Sequence, residues 1–177
     1  MSIILCDESN IKELVEFFKE EVAYLDQTFN YPKWKFGLYP SEESITEAVT
    51  KKEQYAYLID GKIVGAVVFN DNPGGKYENA NIVCKRNEYM VIHTLATSHK
   101  CYKKGIATKI VNFCIEKAKK EGYKGVYSDI IPTNVLSKNL LTKLGFKNLG
   151  TFDLERDELI KVFPEGVPTF TVFELVF

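Results

Sequence analysis

The strongest constraint in the sequence is a strand that runs into a small-residue turn and leaves it as a helix. Tyr89 to Thr97 reads as a strand, Tyr102-Lys103-Lys104-Gly105-Ile106-Ala107 as the turn, and Ile106 to Glu121 as the helix. Such a turn gathers the unpaired backbone N–H groups of the first helical residues at one point, where the helix dipole adds positive potential. The pattern predicts a dock for a phosphate or pyrophosphate group. Lys103 and Lys104, with Lys100 and Lys109 close by in sequence, supply charge of the matching sign.

The rest of the chain is organised around that unit. Ile3-Ile4-Leu5 reads as a first strand. Asn10 with Glu13 has the spacing of a capping box, opening a helix to about Tyr24 with Leu14, Val15, Phe18 and Val22 on one face. An aromatic stretch follows, from Phe29 through Tyr31, Trp34 and Phe36 to Tyr39, and Pro40-Ser41 starts a second short helix carrying Ile45, Ala48 and Val49. Gln54 to Ile59 and Ile63 to Phe69 predict a hairpin around Asp60-Gly61. Beyond the central helix, Gly122 supplies a stop and Gly125 to Ile131 a strand. Pro132-Thr133-Asn134 leads into a helix with Leu136, Leu140, Leu141 and Leu144 on its apolar side, ended by Gly145. Phe146 to Leu149 and Thr169 to Phe177 read as closing strands around a charged loop, Asp153 to Gly166. This order predicts an α+β fold on a mixed sheet, because a doubly wound parallel sheet would alternate throughout.

A chain of 177 residues is expected to form one domain with a real core. No apolar run reaches the length of a membrane span, and nothing at the N-terminus reads as a signal peptide. The formal net charge of −1 argues against a dedicated nucleic-acid binder. Cys6, Cys84, Cys101 and Cys114 form no CxxC pair and there are two histidines, which excludes the common zinc patterns. Reduced thiols in a cytoplasmic protein are the expectation.

Three segments in order resemble the GCN5-related N-acetyltransferase (GNAT) superfamily. Ile92-His93-Thr94-Leu95-Ala96-Thr97 resembles its fourth strand. Tyr102 to Ala107 resembles its Gln/Arg-x-x-Gly-x-Gly/Ala pyrophosphate loop. Asn134-Val135-Leu136-Ser137 through Lys143-Leu144-Gly145-Phe146 resembles its N-x-x-(A/S)…L-G-F helix. The resemblance implies a GNAT-like fold: a central, mostly antiparallel mixed sheet, helices on both faces, and a splayed pair of strands receiving acyl-CoA. It implies acetyl-CoA as cofactor, with Leu95, Ala96 and Thr97 along the pantetheine. Tyr102, Lys103, Lys104, Gly105, Ile106 and Ala107 would then lie around the pyrophosphate, and Asn134 and Ser137 near the cofactor arm. Two positions depart from the pattern. Tyr102 replaces the usual Gln or Arg, and Leu141 stands where many members carry the tyrosine that protonates the leaving thiolate.

The implied reaction is transfer of an acetyl group to a primary amine of a small molecule or peptide by direct attack. An amine arrives largely protonated at neutral pH, so a base or a water chain is required. His93 is the candidate, since strand alternation places Val91, His93, Leu95 and Thr97 on one face and an ordinary histidine titrates near ~6.5. The competing assignment for His93 is a structural core histidine, and Glu88 is a second candidate base. Trp34 and Tyr39 are candidates for an acceptor wall, and Asp129 for an acceptor ammonium or a structural hydrogen bond. Two other functions share this fold: a CoA-binding sensor with little catalysis, and an acetyltransferase acting on protein N-termini or lysines. A homodimer is a family expectation; nucleic-acid and membrane partners are not expected.

Overall fold

The computed structural model of the protein describes residues 2–156 and 169–177; Asp157 and Glu158 of the charged loop lie outside them. Seven strands form one mixed sheet: β1 (Ser2–Leu5), β2 (Gln54–Ile59), β3 (Lys62–Asn70), β4 (Tyr89–Thr97), β5 (Gly125–Ile130), β6 (Lys147–Phe152) and β7 (Phe170–Val176). Their order across the sheet is β1-β2-β3-β4-β5-β7-β6. β4 and β5 run parallel, whereas β1–β2, β2–β3, β5–β7 and β6–β7 are antiparallel. Among the described residues four α-helices accompany them: α1 (Ile11–Gln27), α2 (Glu42–Thr50), α3 (Ile106–Lys120) and α4 (Val135–Lys143). No helix among the described residues is long and apolar enough to cross a membrane.

The expected elements form, with two local corrections. The reciprocal cap before α1 is made by Asp7 and Asn10: the Asp7 carboxylate accepts the Ser9 N–H at 2.8 Å, and Asn10 Oδ1 accepts the Asp7 N–H at 3.0 Å. Glu13, which has the capping spacing, instead accepts the N–H of Ile63 at 2.9 Å and ties α1 to β3. On α4, Leu136 is 48% exposed and Leu141 is the buried leucine, so the apolar side of that helix is narrower than its leucine count implies. The Asp60-Gly61 hairpin behaves as expected, with both residues at positive φ (51° and 75°), the conformation a two-residue turn of matching twist requires.

The chain divides into two compact units. The first comprises Met1–Asn30, Trp34–Phe69 and His93–Asn112. Its core sets Leu14, Phe17 and Phe18 of α1 and Ile45 and Val49 of α2 against alanines of β2 and β3, with Trp34 packed edge-on to Phe18. Small residues on the strands let helices approach closely. At Gly65 an added Cβ would stand 2.7 Å from Ile110 Cδ1 and 3.0 Å from Ile106 Cγ2, so this glycine seats the first turns of α3.

The second unit comprises Tyr31–Lys33, Asn70–Ile92 and Phe113–Phe177. Its core is built on Tyr77, Tyr89 and Tyr127, with the Tyr89 and Tyr127 rings 4.6 Å apart. The parallel ladder pairs Tyr89↔Gly125 through Ile92↔Ser128. At its last pair the Ser128 hydroxyl donates to the Ile92 carbonyl at 3.1 Å.

Candidate active site

The turn after β4 is shaped by left-handed backbone. Ser98 opens a short 3-10 turn, its hydroxyl accepting the Lys100 N–H at 3.3 Å, and Tyr102 then returns to extended backbone. Lys103 and Gly105 follow at φ of 61° and 72°. Left-handed residues within such a turn create the concave backbone that binds anions. The ladder of α3 starts with the Lys109 N–H on the Gly105 carbonyl at 3.1 Å, so the N–H groups from Gly105 to Thr108 precede it. A Cβ on Gly105 would meet nothing within 4 Å, so the space before it is open. Backbone, dipole and room together fit a pyrophosphate.

The lysines divide their work. Lys100 is paired with Glu20 of α1, and Lys109 donates to the Tyr57 hydroxyl at 3.3 Å. Lys103 Nζ stands 5.5 Å above the ring of Tyr102, which is 67% exposed. Lys103 and Lys104 are thus the cations of the turn itself.

Upstream, β4 does not alternate without interruption. Thr94 sits at φ 48°, an uncommon conformation for a β-branched residue, and it breaks the period that was expected to run from Val91 to Thr97. His93, Leu95 and Thr97 are half-buried, while Ala96 joins the core. The Thr94 hydroxyl shares a short hydrogen bond with the hydroxyl of Tyr39. Tyr39 is held in turn by a small closed loop: Lys35 and Tyr39 exchange two backbone hydrogen bonds of 3.0 Å, and the Trp34 ring packs edge-on at 6.5 Å. Asn30 fixes Trp34 from both sides, accepting its N–H at 3.0 Å and donating to its carbonyl at 2.6 Å. Trp34, Tyr39, His93 and Thr94 therefore belong to one unit, in which Thr94 links the aromatic stretch to the strand. Thr94 escapes sequence reasoning, because no residue pattern announces a left-handed backbone at a threonine.

The model of the acetyltransferase (GNAT) family matches residues 13–146. The chain belongs to the GNAT acetyltransferase family. A GNAT-family acetyltransferase from Streptococcus agalactiae 2603 gives a TM-score of 0.78 at 18% identity, over 99% of this chain and 95% of its own. One from Listeria monocytogenes 4b F2365 gives 0.75 at 11%, over 99% and 94%. A structure from Bacillus anthracis str. Ames, solved in complex with acetyl coenzyme A, gives 0.54 at 18%, over 70% and 61%. At these identities the likeness is one of fold. Family membership makes this GNAT protein an acyltransferase, and the family's acyl donor is acetyl-CoA.

The remaining candidate residues of this GNAT acetyltransferase lie in the second unit, where each has a local partner. Asp129 is clamped: Arg156 Nη1 and Nη2 donate to its two oxygens at 2.5 and 2.7 Å, and the Tyr77 hydroxyl donates at 2.5 Å. Arg156 also donates to the Gly74 carbonyl at 3.1 Å and to the Pro73 carbonyl, and lies 4.7 Å above the Phe170 ring. That arrangement favours the structural alternative for Asp129 over an acceptor-binding one. Asn134 caps α4, its Oδ1 accepting the Ser137 N–H at 3.2 Å, so both residues have a helix-starting task. Leu141 is 2% exposed and brings no proton donor. Tyr127 is engaged as well, donating to Glu174 and accepting the Cys84 N–H, each at 3.1 Å, and burial pushes its phenol up. Glu88 is tied to Lys124 at 2.5 Å, and this hydrogen bond holds its carboxyl below the usual range, a poor setting for a base.

Proposed function

We propose that the protein transfers an acetyl group from acetyl-CoA to a primary amine of a small molecule or peptide by direct attack. The observation that carries this reading is the turn from Tyr102 to Ala107: left-handed Lys103 and Gly105 lead into the N-terminus of α3, in a chain of the acetyltransferase family. Within the turn from Tyr102 to Ala107, the N–H groups of Tyr102 and Lys104 bond inside the turn and order it. Those of Gly105, Ile106 and Ala107 at the start of α3 hold the pyrophosphate, aided by the side chains of Lys103 and Lys104, and the backbone at Leu95, Ala96 and Thr97 follows the pantetheine amides. When bound, acetyl-CoA supplies a thioester, an acyl group already activated toward an amine.

This chain's residues do the rest. His93 takes the proton from the incoming amine, a contribution worth roughly 10²–10⁴-fold where a general base is placed correctly. Trp34 and Tyr39 form the acceptor wall, and the Thr94 hydroxyl fixes the Tyr39 phenol one residue from His93. Leu141 supplies no acid, so departure of CoA relies on the modest basicity of a thiolate, whose unperturbed pKa is about 8.5.

A panel of primary amines, assayed for free-thiol release from acetyl-CoA, tests the reading. Transfer to at least one amine is expected, with His93→Gln lowering kcat by about 10²-fold or more while coenzyme A binds as before. Equal turnover by wild type and variant across pH 6 to 9 would make His93 structural.

A further inference from the structure

Glu21 places a charge on the face of α1 that should be apolar. Leu14, Phe17, Phe18 and Val22 make up that face, and Glu21 is buried with them at 5% exposure. A carboxylate buried this way is costly unless hydrogen bonds replace its water. Its bonds converge on a single residue. Oε2 accepts the backbone N–H of His99 at 2.9 Å, and Oε1 lies 3.0 Å from the ring Nδ1 of the same histidine, whose proton it can accept. The imidazole is held flat against the Tyr24 ring, 4.1 Å away and 7° from parallel. Next to it, Lys100 pairs with Glu20.

The grip falls at the root of the anion-holding turn. Ser98 N–H donates to the Val64 carbonyl at 2.9 Å, anchoring the chain just before His99. The Tyr102 N–H donates to the His99 carbonyl at 3.3 Å, and the Lys104 N–H to the Cys101 carbonyl at 3.3 Å. A run of backbone hydrogen bonds thus leads from the clamped histidine to the residue before Gly105. A turn that binds phosphates through its backbone gains affinity from being ordered before the ligand arrives.

We infer that Glu21 is a positioning residue for the donor-binding turn, fixing His99 by main chain and side chain together and thereby ordering Tyr102 to Ala107 for a phosphate-bearing ligand. The inference rests on the reading of that turn as the pyrophosphate cradle. Glu21 acts through its bonds to His99, so its effect is on donor affinity and not on the chemical step.

Glu21→Gln tests this, because it preserves size and one acceptor for the His99 N–H while removing the charge and one of the two carboxylate oxygens that lie 3.0 and 3.2 Å from the ring Nδ1. Free coenzyme A is titrated by calorimetry, amide hydrogen exchange is followed in the ligand-free protein, and kcat is separated from KM. Binding of coenzyme A is expected to weaken about tenfold, with KM for acetyl-CoA rising in step and kcat unchanged, since part of a charge-assisted hydrogen bond is lost. Exchange is expected to quicken from His99 to Ala107 and not in the second unit. His99→Phe, which keeps the stack on Tyr24, is expected to reproduce the effect in smaller measure, about threefold, since the backbone bond to Glu21 survives. Unchanged affinity and unchanged local exchange would overturn the inference, as would loss of protection spread over the whole chain. Failure of the wild-type protein to bind coenzyme A would instead overturn the underlying reading of the turn.

Discussion

Replacing Arg156 by leucine removes one side of the most enclosed ion pair among the described residues. The side chains of Arg156 and Asp129 are 7% and 5% exposed. The substitution leaves the Asp129 carboxylate with the Tyr77 hydroxyl in place of a bidentate cation, and takes a donor from the Gly74 and Pro73 carbonyls. Breaking a buried pair from one side costs about 3–5 kcal/mol, because the remaining charge stays desolvated. For a chain of this size each kcal/mol moves the midpoint by about 2–4 °C, so a fall of roughly 6–20 °C is expected. Asp129→Leu should cost a similar amount. The double variant Asp129→Leu/Arg156→Leu should cost clearly less than the two added together, since leucines on both sides leave no unpaired charge. Thermal and urea unfolding of the four proteins give the cycle. Single variants each losing under about 1 kcal/mol, or strictly additive losses, would refute the clamp. So would an Asp129→Asn protein of native stability with a raised KM for the amine, which would return Asp129 to the acceptor site.

Two further outcomes follow from the local chemistry. Tyr39→Phe removes the bond to Thr94 and is expected to lower kcat/KM for the acceptor about tenfold, with the dissociation constant of coenzyme A unchanged; steady-state kinetics and calorimetry separate the two. Of four free cysteines, burial pushes Cys6 up to about 12 and raises Cys114 too, Cys84 is buried, and Cys101 alone is half-exposed. A thiol reagent at neutral pH should therefore titrate one thiol per native chain within minutes and four after unfolding; four in the native protein would contradict the packing.

The sequence revealed those parts of the fold that short-range chemistry determines. The β4–turn–α3 unit and the Asp60-Gly61 hairpin fall where the residues put them, because glycine and turn preferences act over a few residues. What escaped it depends on partners far along the chain. Glu13 has a capping residue's spacing but is claimed by Ile63, 50 residues on. Asp129 invites a substrate role until Arg156 and Tyr77 are brought to it by the folding of loops whose placement no periodicity encodes. The left-handed backbone at Thr94 leaves no trace in composition, yet it falls on the residue whose hydroxyl meets Tyr39.

The central claim, that the turn from Tyr102 to Ala107 holds the phosphates of coenzyme A, is tested most directly by thermal unfolding with and without acetyl-CoA for wild type, Gly105→Ala and Gly105→Glu. At a concentration of ~100 Kd, ligand binding adds about 2.7 kcal/mol, a rise of roughly 5–11 °C for a chain of this length. Gly105→Ala strains a backbone at φ 72° but puts its Cβ into open space, so it should keep most of that rise. Gly105→Glu adds a carboxylate to the phosphate cradle and should abolish it. A full rise in Gly105→Glu, or none in the wild-type protein, would contradict the account.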